Sequence, residues 1–594
     1  MKITSKLFYT FLKSLLTLYA LINTFTYDNQ LMITNHILSL LALIAIIFIF
    51  EKSNLVYSKR LRVLSHFFAI IYALTLVFGS QLYLHGFISY FDPIIYFKVL
   101  FIELFISRLL MFSATKISSY KVPESMNFKR LFGNRWIWIA IFVLFVFVWS
   151  IYWMSYYPGI VDIDNTFNFM MYNSKEFTSH HPILHISLIG FLFNLGNRLF
   201  SDFNFGISIY ILFQICITAL CLTWSLRRLY EKLHVSAIFI LTAIVIYSGI
   251  ILPIIPMNVI TTTKDMLFST FLFAFFILNY EMVHSYSTFM KNRINIMLYV
   301  LFGFLILALR NNALYALLAY TIVLLIYSRK VQNYKNLLLV MIILGSYSSY
   351  SYATQKTLDI KDVDGVKEMS SVPLQQLART YNRSPQSLNR IEKELILQIV
   401  GPYELSRHNP YWSDFVKIYF NQEHFLNNRQ VYIELYLKLL AQNPSLFIDS
   451  FLENTLFSWY PFAINEPRYT LYDRKIQAAD SSLLFITDIN SPANADSKLP
   501  LLKEFLEKVS HSTIVYRIPV YAQMYSIGFM FWLFLYSIYL SLYRKKWKSI
   551  VFNLFVLLYT MTLWLGPVMF IRYFLYFWLL IPLTLHEVFH PQSD

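Results

Sequence analysis

Charge is the scarcest commodity in this chain of 594 residues: only 14% are Asp, Glu, Lys or Arg, against 57% hydrophobic and 19% aromatic. A water-soluble chain of this length carries about 25% charged residues, so too little polar surface is available for water to be the main solvent. The two cysteines, Cys216 and Cys221, lie five apart in one apolar stretch. That spacing supports neither a disulfide framework nor a zinc site, and the bland reading is two small apolar fillers. Fourteen glycines are spread over the whole length with no Gly-rich phosphate loop, so a nucleotide-binding turn is not expected. A basic stripe with interleaved aromatics is also missing, which argues against nucleic acid despite the net charge of +16.

Long apolar runs are what the chain has. A helix needs about 20 apolar residues to cross a bilayer, and about fourteen spans are expected near 8–26, 31–50, 63–84, 94–114, 135–155, 204–226, 235–254, 266–283, 294–309, 313–328, 336–352, 518–542, 549–567 and 573–588. Between Ala353 and Ser512 there are 17 Lys and Arg against 19 Asp and Glu, a net of −2, so the remainder holds +18. That excess gathers at Lys52 to Arg62, Lys116 to Arg130, Arg227 to Lys232, Lys291 to Arg293, Arg329 to Lys335 and Arg544 to Lys548. Lys and Arg accumulate in cytoplasmic loops, and fourteen spans with both termini cytoplasmic put all six clusters inside. The agreement requires 182–199 to lie along the outer interface, although it is apolar enough to cross. The first run after Met1 to Lys6 lacks a small-residue cleavage site and is read as an uncleaved first helix.

The expected organisation is an all-α polytopic membrane protein. An amino-terminal bundle of four spans occupies 1–130, and a core 131–352 carries a first outer loop at 156–203. A mainly helical extracytoplasmic domain fills 353–515, and three spans lie in 516–594.

Polar residues at predicted outer helix ends carry the chemistry. The loop YYPGIVDIDNTF brings Asp162 and Asp164 to the lipid–water boundary, where charge without a use is costly. In an extended segment the two share a face, whereas in a helix they diverge. Asn165 or Thr166 capping a helix, with Asp164 in its first turn, is the structural alternative. HHPILH adds His180, His181 and His185. His181 and His185 have the spacing of a metal pair, but no cysteine accompanies them and Asp162 or Asp164 would have to complete the set, so no metal or other cofactor is assigned. Lys264 and Asp265 follow Pro253 and Pro256, which should break the preceding helix. Arg310 with Asn311 and Asn312 marks a tight turn, and Arg572 with Tyr573 lies beside Gly566-Pro567. Outward cations beside spans run against the usual trend and suggest a held anion, phosphate being the natural one. The alternatives are snorkelling or an internal pair such as Lys264 with Asp162. In SVPLQQLART, Gln375, Gln376 and Arg379 share a helical face, as they would on any surface helix. WYPFAINEPRY (459–469) suits sugar stacking, and suits an interfacial aromatic belt better.

The order of span, outer loop with an acidic residue, His-Pro, interfacial helix and next span resembles GT-C-type glycosyltransferases, such as the protein O-mannosyltransferases and the lipid A aminoarabinose transferase. Asp162/Asp164 and His181-Pro182 carry the likeness, over roughly 135–352. YYPGIVDIDNTF, HHPILH, TTKDMLFS, LRNNALY, VPLQQLAR and RYFLYFWLLIPL together look like an uncharacterised family of multispanning proteins common in Gram-positive bacteria, over most of 135–590. In that pattern the acidic position is Asp164, with Asp162 an extra. The resemblance implies transfer of a sugar from a polyprenyl-phosphate donor to a cell-envelope acceptor without a nucleotide-binding fold, with Asp164 as general base and an inverted anomeric centre. Donor contacts would come from Lys264, Arg310, and Arg572 or Arg379. A polysaccharide polymerase or ligase shares many spans and outer arginines but would place catalytic Arg and His in the late outer domain. A lipid-linked glycan transporter would show inverted repeats and buried charge at mid-membrane; Glu103 and Arg108 are the main such charges here.

Overall fold

In hydrocarbon each backbone N–H and C=O must find its partner within the chain, which leaves the helix as the natural state of these apolar runs. The computed structural model describes residues 2–24, 26–27, 30–31, 36–52, 57–120, 122, 126–331, 334–361, 365–463, 497–511, 518 and 520–590. The Glu466–Arg468 part of the aromatic run lies outside them. Among the described residues the secondary structure is helical except for a two-residue antiparallel pairing of Thr26–Tyr27 with Gln30–Leu31 and a few isolated bridges. Within the described residues eight helices are long and apolar enough to cross a membrane: Lys59–His85, Arg135–Ser155, Ile183–Phe200, Phe203–Leu233, Lys264–His284, Asn312–Lys330, Lys335–Leu358 and Trp547–Trp564. Ala237–Ser248, Arg293–Leu309 and Ile527–Tyr543 are shorter apolar helices. The chain is an all-α, membrane-embedded protein.

The helix ends sort into two levels, and the basic clusters share one of them. There Arg228 pairs with Glu281, Arg60 Nη2 donates to the Leu542 carbonyl at 2.6 Å, and Lys330 lies 5.2 Å over the Trp547 ring. Arg544 Nη1 donates to the carbonyls of Glu587 and Val588 at 3.0 and 2.8 Å, satisfying acceptors that a helix C-terminus leaves open. At the opposite level Trp149 and Tyr152 donate to the carbonyls of Tyr247 and Gly249 at 3.0 and 2.9 Å, just before the loop that holds the two aspartates.

Prolines reshape two of the expected spans. After Ala237–Ser248 the chain turns at Gly249 (φ 83°) and forms a separate short helix, Ile254–Val259. The run at 573–588 is broken into Ile571–Tyr573, Tyr576–Leu579 and Ile581–Phe589, the last with Pro582 in its first turn. Proline has no N–H to continue the ladder behind it.

Ile183–Phe200 does not run alongside its successor Phe203–Leu233. A Cβ on Gly196 would lie 2.2 Å from the Gly206 nitrogen, and His185 Nε2 lies 3.0 Å from Tyr210 Oη. From 185 to 196 the first helix advances about 16 Å, while from 206 to 210 the second advances about 6 Å. The two therefore cross steeply.

Residues 365–463 form a helical unit with its own apolar core, built around Leu377, Ile396, Val416, Leu435, Leu439 and Phe447. Its helix Arg390–Ile399 opens with a reciprocal capping box between Asn389 and Glu392. The unit sits at the level opposite the basic clusters, where Asp449 accepts from Tyr90 Oη at 2.7 Å.

The Gly196–Gly206 crossing yields a test. Gly206→Ala would put a methyl carbon 2.3 Å from the Phe193 carbonyl oxygen. The expected cost of such overpacking is about 1–3 kcal/mol, read as a lowered thermal midpoint of the detergent-solubilised protein. An unchanged midpoint would contradict this packing.

Candidate functional site

Two strands of irregular chain meet where the helices break. Ile160 N donates to the Ile260 carbonyl and Thr262 N to the Ile160 carbonyl, both at 2.9 Å, a parallel bridge centred on Thr261. Gln214, buried in the middle of an otherwise apolar helix, donates through Nε2 to the carbonyls of Val259 and Thr261 at 2.6 and 2.7 Å. Asn165 Nδ2 donates to Thr262 Oγ1 at 3.1 Å. These bonds set Asp162 and Asp164, just past Ile160, beside Lys264 and Asp265, just past Thr262.

Asp162 occupies the N-cap position of helix Ile163–Ser174 but makes no capping bond. Its Oδ2 instead accepts from Arg572 Nη1 at 2.6 Å. Arg572 Nε lies 3.5 Å from Asp265 Oδ2 and Nη2 lies 3.9 Å from Asp164 Oδ2. Asp265 Oδ1 accepts from Arg310 Nε and Nη2 at 3.0 and 2.5 Å. The Tyr573 ring lies 4.3 Å from the Arg310 guanidinium, and Tyr573 Oη accepts from Arg572 Nη2 at 3.0 Å. The pair alternative Lys264–Asp162 is replaced by Arg572–Asp162.

Exposure separates two classes of carboxylate. The Asp162 and Asp265 side chains are 1% and 4% exposed, whereas Asp164 is 42% exposed. Asp265 bridges the two guanidinium groups and Asp162 pairs with Arg572, a charge lattice in which each ion would be costly alone. Asp164, at the edge of that lattice, is reachable. Burial and the neighbouring Asp162 charge push its carboxyl above the usual carboxylate range, while Arg572, Lys264 and His180 pull it back.

Lys264 Nζ lies 3.5 Å from His181 Nδ1, and among the described residues no carboxylate comes within ion-pairing distance of it. Burial, then the Lys264 and His180 charges, hold His181 well below the usual imidazole range. The ring is therefore neutral, with Nδ1 turned toward the Lys264 amine. His180 is exposed, with Nδ1 3.9 Å from Glu368 Oε1. Asn311 is exposed and Asn312 half-buried at the turn after Arg310.

The structure thus brings together Asp162, Asp164, His181, Lys264, Asp265, Arg310, Arg572 and Tyr573. Gln376 and Arg379 are not brought to this cluster. Gln376 donates to the Phe447 carbonyl at 3.0 Å and accepts from Tyr436 Oη at 2.5 Å. Arg379 pairs with Glu453 and Asp449 and donates to the Gly86 carbonyl. It is 1% exposed, and a guanidinium so desolvated needs carboxylates of its own. Gln214 and Thr262 were missed as positioning residues; a lone glutamine amid ISIYILFQICIT was the available signal. No group of three His, Cys, Asp or Glu arranged to hold a metal occurs among the described residues.

The chain belongs to DUF6020, a family of unknown function, which it matches over residues 7–593. No curated protein and no solved structure matches it.

The lattice predicts unequal effects of the two aspartates. Asp162→Ala leaves Arg572 without its closest partner and should cost about 3 kcal/mol, while Asp164→Asn should stay within about 1 kcal/mol. Thermal unfolding of the purified variants checks this; equal losses would contradict the division.

Proposed function

We propose that this protein is a membrane glycosyltransferase that moves a sugar from a polyprenyl-phosphate donor to an acceptor outside the cytoplasm. The observation that carries the reading is one cluster, built from four distant chain segments, that sets a reachable carboxylate beside Lys264, Arg310 and Arg572 at the level opposite the basic loops. A carboxylate facing cations in a desolvated setting suits a reaction that takes a proton from one partner and builds charge on another.

In the proposed step Asp164 takes the proton of an acceptor hydroxyl. The hydroxyl oxygen bonds to the anomeric carbon, the bond from that carbon to the phosphate oxygen breaks, and its electron pair leaves with the lipid phosphate. Configuration inverts. The phosphate gains one negative charge as Asp164 loses one, so the total charge of site and ligand is constant. Lys264, facing a neutral imidazole rather than a carboxylate, contacts the phosphate, and the His181 ring lies beside it. Arg572 and Arg310, engaged by Asp162 and Asp265, fix the lattice and supply field. Asn311, Asn312, His180 and Tyr573 line the approaches.

For topology, fourteen crossings with both termini and all basic clusters in the cytoplasm fit the segregation of helix ends. They require Ile183–Phe200 to lie in the outer interface, which its steep crossing of Phe203–Leu233 supports. Residues 1–130 form the amino-terminal bundle, 131–352 the GT-C-like core, 353–515 an extracytoplasmic domain and 516–594 the last three spans, all in the cell membrane.

Asp164→Asn should lower turnover of a polyprenyl-phosphate sugar about 10²–10⁴-fold. Because the base acts deprotonated and its pKa is raised, wild-type rate should fall on acidification at a pH above the ordinary carboxylate value of about 4; unchanged turnover in the variant would remove Asp164 as base. For topology, Lys232→Cys in a chain with Cys216 and Cys221 replaced by Ser should react with a membrane-impermeant maleimide only from the cytoplasm. Labelling from outside would invert the scheme.

A further inference from the structure

The helical unit 365–463 touches the ion cluster by two routes, and both start at Trp412. On one side, Trp412 forms an antiparallel bridge with Val568, and its ring lies 5.1 Å from that of Phe570. Phe570 in turn lies 5.2 Å from the Arg572 guanidinium. On the other side, Trp412 Nε1 donates to Asp414 Oδ2 at 2.7 Å. Lys417 Nζ then joins Asp414 and Glu368 at 3.1 and 2.5 Å, and Glu368 lies 3.9 Å from His180, the neighbour of His181. The two routes close on each other at the cluster.

The polar members of these contacts stay open to solvent. Asp414 and Glu368 side chains are 43% and 37% exposed, comparable with Asp164. Lys417, at 4%, is buried between its two carboxylates, so the charge presented to a ligand is negative. Trp412 is half-buried. Its aromatic neighbours Phe415 and Phe570 stand at 71° and 82° to it, so neither lies parallel on its face.

A fixed indole beside open carboxylates is the chemistry that recognises a sugar: C–H faces stack on the ring, and hydroxyls donate to the carboxylates. We propose that the space between Trp412, Asp414, Glu368 and Asp164 is a subsite for a neutral saccharide. It rests on the transferase reading only in making that saccharide the acceptor. Anionic acceptors are repelled by the same carboxylates, and a peptide would leave the hydroxyl-binding groups unused.

The test reads binding without any donor. Saturation-transfer difference NMR on the solubilised full-length protein, titrated with N,N′-diacetylchitobiose, should give a saturable signal. Trp412→Ala should weaken that binding about tenfold, the contribution of one stacked ring. Trp412→Phe should retain most of it, and Asp414→Asn, whose amide oxygen can still accept from the indole N–H, should weaken it in protein shown to be folded by its thermal transition. No wild-type signal, wild-type affinity retained in both the Trp412→Ala and Asp414→Asn variants, or stronger binding of a neutral serine-containing peptide would each overturn the proposal. Disaccharide binding with no donor turnover would sink the transferase reading alone, and donor hydrolysis without disaccharide binding would sink the subsite alone.

Discussion

The hydrogen bond between Asp162 and Arg572 joins positions 410 residues apart, and the rest of the cluster depends on it. A guanidinium with 6% of its side chain exposed persists only where carboxylates meet it in good geometry. That requirement draws the loop after Arg135–Ser155, the broken segment before Lys264, the Arg310 turn and the 571–573 turn to one level. Two of these segments find backbone partners in each other, Ile160 with the 260–262 backbone, and the buried Gln214 takes up two further free carbonyls.

The unit at 365–463 holds the far side of the same arrangement. Ser413 N donates to the Pro567 carbonyl at 2.9 Å and Asn454 Nδ2 to the Gly566 carbonyl at 3.3 Å, five or six residues before Arg572. Its own buried ion pair, Arg379 with Glu453, reaches the turn after Lys59–His85 through the Gly86 carbonyl. The amino-terminal helices, the late unit and the 566–573 loop are therefore linked by polar contacts at one level.

Much of this was legible in the residues, and the remainder was hidden for identifiable reasons. Basic loops are local features, so their clustering at one level followed from simple counting. Pro253 and Pro256 announced the break before Lys264, and the outlying cations at 264, 310 and 572 marked one surface. Hydropathy counts Ile183–Phe200 among the helices able to cross, whereas the charge pattern asks it to lie along the interface. The partner of each cation was not readable, because pairing across hundreds of residues leaves no periodic trace; Arg572, not Lys264, took Asp162. Gln376 and Arg379 share a helical face, but an amphipathic face reads the same whether it meets a ligand or the unit's own interior. Pro582 sat within an apolar run and broke it where length suggested continuity.

The most direct measurement is a cryo-electron microscopy map of the full-length protein in nanodiscs with a polyprenyl phosphate. The account predicts phosphate density within about 4 Å of Lys264 Nζ and next to His181, with Asp164 facing it. Phosphate density at the basic level among Arg228, Lys330 and Arg544, with none at Lys264, would contradict it.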